Sequence, residues 1–100
     1  MEYIWKVLST KEEYNADLND KVVTEAHWGL FLRDGQYMTE SQGITQFDPP
    51  NKDVYVAFSD LNNDIIMGWV KDKIGDAEVS NRINWVNHLL VQNKKSDNQV

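Results

Sequence analysis

Glu25 and His27 stand two residues apart at the start of "EAHWGLFLRDGQYMTE", residues 25–40. A carboxylate and an imidazole at that spacing could work as a base and its orienter, or as two metal ligands. On a strand both side chains leave the same face, so the spacing is usable. A metal centre usually needs a third convergent ligand, and Glu40 is at best a diagonal neighbour. The pair reads more simply as the polar, solvated face of a two-faced sheet. His88 has Asn84 one turn before it and Gln92 one turn after, without an acid or a nucleophile, and reads as a solvated helix face.

Asp60-Leu61-Asn62-Asn63-Asp64 begins like a calcium loop. Ile65 then stands where the loop needs Gly, and Lys71 where it needs Glu. Helix capping explains these residues better. Ser41, Ser59 and Ser80 have no His or acid at an activating spacing, and the phosphate-loop and nucleophile-elbow patterns are absent. The chain has no cysteine, which excludes thiolate catalysis, disulfides and Cys-based zinc sites. These readings give no catalytic, cofactor or metal residues, and a chain that is not an enzyme.

The elements that carry these residues follow from periodicity. "YIWKVLS" alternates, with Tyr3, Trp5 and Val7 on one face, and predicts a strand. The polar stretch 10–20 predicts a loop. "KVVTEAHWGLFLR" alternates again. Val22, Thr24, Ala26, Trp28, Leu30 and Leu32 form the apolar set and face the core. Asp34-Gly35 predicts a type I′ hairpin turn. That turn pairs Arg33 with Gln36, Leu32 with Tyr37, Phe31 with Met38 and Trp28 with Ser41, whose small side chain leaves room for the indole.

"QYMTESQGIT" is then the return strand, 46–53 a loop broken by two prolines, and "VYVAF" a short fourth strand or a lead-in to a helix. From residue 59 the period becomes helical. Ile66, Trp69, Val70 and Ile74 make one stripe, with Asn62 as N-cap and Leu61–Ile66 as a staple across it. Gly75 is a left-handed stop. Asp76 caps a second helix with Val79, Ile83, Val86 and Leu90 inward, widened by Trp85 and Leu89.

Strands precede helices without βαβ alternation. The expected fold is α+β, an antiparallel three- to four-stranded sheet packed on one face by two C-terminal helices. A single domain over residues 1–93 and a disordered tail over 94–100 are expected.

Bulk composition limits the partners. The 100 residues carry a net charge of −6, which opposes binding to nucleic acid or anionic membrane. The four tryptophans could stack bases, but no basic groove accompanies them, so they read as core packing. The N-terminus is no secretory signal, and no apolar run could span a membrane. Ile4, Val23, Phe31, Met38, Met67 and Val91 fall off the main stripes. Exposed together they would make a protein interface. Phe31, Met38 and Met67 are its lead candidates, with Phe31 and Met38 paired near the hairpin tip, and a homodimer is one form of that contact.

"YIWKVLS", "AHWGLFLRDG" and "VYVAFSDLNNDIIMGWVKDKIG" together resemble a family of small proteins from tailed phages, notably those of marine cyanobacteria and related ocean bacteria. Tyr3, Trp5, Trp28, Phe58, Leu61, Ile65, Trp69 and Val70 carry the likeness, across most of residues 3–75. Asn62-Asn63-Asp64 replaces the usual Thr-Glu-Glu helix start. The resemblance implies a viral origin, which suits an Asn-, Asp-, Lys- and Ile-rich, AT-biased composition, and it brings no assigned activity. The resulting expectation is a non-enzymatic phage accessory protein that binds a host or phage protein in the host cytoplasm. The alternative is a minor virion component, such as a decoration or tail-associated subunit.

Overall fold

A computed structural model of the chain describes residues 1–50 and 55–98. The fold is α+β. Three strands, β1 (Glu2–Asn15), β2 (Asp20–Asp34) and β3 (Tyr37–Gln46), form one antiparallel sheet in the order β1-β2-β3. A 3-10 turn at Phe58–Asp60 leads into one helical element, α1 (Asn63–Asn98).

The central strand does what its alternation predicts. Ala26, Trp28, Leu30 and Leu32 are all buried under the helical layer. Each such large side chain contributes roughly 1.5–3 kcal/mol of transfer free energy. Two clusters result. Trp28, Ala26 and Val23 pack with Ile66, Met67 and Val70, while Leu30 and Leu32 pack with Val86 and Leu90. Trp28 donates its indole N–H to Thr45 Oγ1 at 2.9 Å, which satisfies its polar atom inside the core.

Several expectations are corrected. The stretch 10–20 is not all loop, because β1 runs to Asn15 and a tight turn covers 16–19. Asn19 takes φ 52° in that turn, a conformation Asn tolerates. The reversal between β2 and β3 is centred on Gly35-Gln36, with Asp34 opposite Tyr37. Gly35 alone has positive φ there, at 60°, which fits a type II′ turn instead of I′. Register therefore slides by two, which keeps every face. Trp28 lies opposite Gly43 and Leu30 opposite Ser41. A Cβ at Gly43 would sit 2.5 Å from Trp28 Cζ2, so glycine supplies the room expected of Ser41.

A fourth strand is not formed over residues 55–57, and Val54 lies outside the described residues. Asp20 instead ties down this segment, with Oδ2 accepting from the Tyr55 hydroxyl and from Phe58 N at 2.9 Å.

In place of two separate helices, α1 is a single element kinked at Gly75. The glycine has φ 84° and ψ 162°, so it is not the αL stop expected but an extended conformation open almost only to Gly. Asn62 does cap α1, accepting from Ile65 N at 2.9 Å. The helix continues through 94–98, where a disordered tail was expected. Lys94 reaches Asp34 at the hairpin tip, and that contact holds the end down. Among the described residues no helix is long and apolar enough to cross a membrane.

Candidate interaction surface

Both layers of α1 lie against one face of the sheet, and the other face is uncovered. Strand pairing sets that face out in rows. Glu2, Arg33 and Met38 form the row at the tip. Ile4, Phe31 and Glu40 come next, then Lys6, Gly29 and Gln42. His27 and Ile44 follow, beside Leu8, which sits at a bulge in β1. Lys11, Glu25 and Gln46 close the far end.

Glu25 and His27 do share this face, yet they do not act together. His27 Nε2 meets Gln42 Oε1 at 2.8 Å, and Gln42 donates onward to Glu40 at 3.0 Å. Glu25 instead pairs with Lys11 at 3.4 Å. The sheet separates His27 from Trp28, because neighbours on a strand point to opposite faces. Among the described residues no three His, Asp or Glu side chains converge as metal ligands.

Phe31 and Met38 lie here as expected, but as diagonal neighbours. Phe31 pairs with Glu40, and Met38 with Arg33. Phe31 lays its ring over Gly29, where a Cβ would come within 2.8 Å of Cε2. Met38 and Ile44 are 52% and 66% exposed. Met67 does not belong to the surface. It is buried in the cluster with Val70 and Trp28, because its helical position faces the sheet. Val23 is likewise interior, since a register shift between Lys11 and Glu12 disturbs the alternation near Thr24. Sequence reasoning missed Ile44 and Leu8. Ile44 alternates in phase with Met38, and that phase was the available signal.

The free edges of the sheet are occupied. On β1, the Asn63 amide accepts from Val7 N at 2.7 Å and donates to the Trp5 carbonyl at 3.2 Å, as a neighbouring strand would. On β3, Arg82 donates to the Gln42 carbonyl at 2.8 Å and to Ser41 Oγ at 2.9 Å. Its guanidinium lies 5.0 Å above the Trp28 ring and pairs with Glu78 at 2.8 Å. That hydrogen bond holds the Glu78 carboxyl below its ordinary value. The bond from Lys94 does the same for Asp34. At these points edge pairing with a second chain is blocked.

Two other features stand apart. Trp85, expected in the core, is exposed and stacks on His88 at 5.7 Å. A groove of about 470 Å³ is lined by Val22, Val23, Phe47, Pro49, Leu61 and Trp69. Phe47 and Trp69 meet edge to face at 6.0 Å within it.

A family model described as a domain of unknown function, DUF7936, matches residues 1–99. The chain belongs to the DUF7936 family. The match spans sheet and helix alike, so the DUF7936 unit is this whole fold and not one layer of it. No curated protein and no solved structure matches the chain.

Proposed function

We propose that this protein is a small, non-enzymatic accessory protein of a tailed phage, acting by protein–protein contact in the cytoplasm of the infected host. The uncovered sheet face carries the reading. Leu8, Met38 and Ile44 are exposed there beside half-buried Ile4 and Phe31. An apolar group of this kind, rimmed by charge, is typical of a binding surface. Its polar residues are engaged in pairs across the strands, so the face offers contact area more than reactive groups. The phage assignment is supported by the sequence resemblance carried by Trp5, Trp28 and Trp69.

Cross-linking mass spectrometry of infected cells tests both parts. Lys6 and Lys11 on this face should cross-link to another polypeptide, and purified virions should lack the chain. Presence in virions at fixed copy number would transfer the protein to the virion-component reading. Cross-links confined to α1 would remove the sheet face from the proposal.

A further inference from the structure

We propose that the uncovered sheet face is a two-fold interface with a second copy of this chain. The inference rests on the reading of that face as a contact surface, and it names the partner.

Charge is the first argument. The chain carries 16 acidic and 10 basic residues. Its uncovered face holds three of each sign, Glu2, Glu25 and Glu40 against Lys6, Lys11 and Arg33. The face is therefore neutral on an acidic molecule, and two copies repel least when they meet through it.

Order along the face is the second argument. At the tip, β1 is acidic and β2 basic, with Glu2 beside Arg33 at 3.0 Å. At the far end the signs are exchanged, with Lys11 on β1 beside Glu25 on β2. Consider a two-fold axis in the plane of the contact, crossing the strands at the Lys6–Gly29–Gln42 row. Each strand then faces its own reversed copy. Glu2 meets the second copy's Lys11, and Arg33 meets its Glu25. Ile4 meets Leu8, and Phe31 meets His27. A C2 contact requires this reciprocity, in which each residue finds its counterpart in the other copy. Gly29 lies at the pivot, where a missing side chain lets the two sheets approach. Lys6 faces its own copy at the β1 edge, where a long stem can turn the ammonium out to water.

The edges support the same geometry. Asn63 and Arg82 occupy β1 and β3 backbone groups, which leaves face-to-face packing as the open route, the aligned arrangement common to β-sandwiches.

Size sets the strength. Three strands about 4.8 Å apart, over about nine residues at 3.4 Å each, give roughly 400 Å² per copy. The total falls below the ~1,200 Å² of standard interfaces, so the dimer is weak and concentration-dependent.

Size-exclusion chromatography with light scattering tests this. The mass should rise from one chain towards two as concentration climbs from about 1 μM to several hundred μM. R33E and E25R each set like charges against each other across the axis, and each should weaken the dimer by about tenfold. The double variant R33E/E25R restores opposite signs across the axis while it breaks both pairs within one copy. Dimerisation should return in the double variant. A purely intramolecular role predicts the reverse, with the double variant the worst. Circular dichroism of all three controls for folding. A single-chain mass at every concentration, or a double variant no better than the single ones, would overturn the proposal. If that monomer still cross-links a foreign protein through Lys6 and Lys11, only the second-copy inference has failed. If those cross-links are absent too, the contact-surface reading fails with it.

Discussion

Gly43 and Trp28 make the tightest fit in the core. Gly43→Ala puts a methyl 2.5 Å from the indole, and neither the buried ring nor the strand can yield freely. A loss of about 1–3 kcal/mol is expected from urea denaturation. Thr45→Val keeps the volume but leaves the Trp28 N–H unpaired in the core. It should cost about 1–3 kcal/mol by the same measurement. Two carboxylates add a pH dependence. Lys94 lowers Asp34 below its ordinary 3.8, and Arg82 lowers Glu78 below its ordinary 4.5. A group with a depressed folded value contributes stability that is fully present above the unfolded value and lost as pH falls through the folded one. D34N/E78Q should therefore be less stable than the parent at pH 7 and lose less on acidification below those ordinary values, as read from urea midpoints along the acid limb. At this scale the sequence supplied which residues share a face. It could not show that Gly43, and not Ser41, meets the indole, because Asp34-Gly35 and Gly35-Gln36 are both acceptable turn centres and differ by a slide of two that preserves the pattern.

Gly75 governs α1. Its φ of 84° with ψ of 162° is closed to side chains, so Gly75→Ala should destabilise by about 1–3 kcal/mol, measured by thermal or urea unfolding. No neighbouring atom would meet the added methyl, so the cost is one of backbone conformation. The helix start also seals the β1 edge. Asn63→Ala removes both bonds to Trp5 and Val7 and should speed hydrogen exchange at the Val7 amide while leaving the Asn62 cap intact. The cap and staple were legible, since their spacing is local. The kink, the length of β1 and the absent strand over 55–57 were not. A polar run such as Lys11–Glu13 forms strand only because β2 pairs with it, and pairing partners are invisible to local pattern.

Across the whole molecule, burial is uneven. The helical layer covers the middle of the sheet, whereas Lys11–Tyr14 of β1 are exposed. Local opening follows the lack of buried apolar contacts. Hydrogen-exchange mass spectrometry should find β1 residues 11–15 exchanging first and β2 residues 26–32 last. The sequence placed Phe31 and Met38 at a surface and missed Ile44. It also offered Met67, which the helix turns inward. The outer face becomes a site only when three strands set their charges in rows, and no single strand carries that order.

Periodicity and local chemistry alone determined the α+β class, the inward set on β2, the hairpin, the cap at Asn62 and the need for glycine at 75. Each depends on residues within a few positions of one another, where sterics and alternation act directly. Tertiary structure alone decided that Gly43 receives the indole, that Met67 and Val23 are interior and Trp85 is not, and that Asn63 and Arg82 close the sheet edges. Those outcomes depend on groups 15 or more residues apart in sequence meeting in space, and only the packed chain brings them within reach.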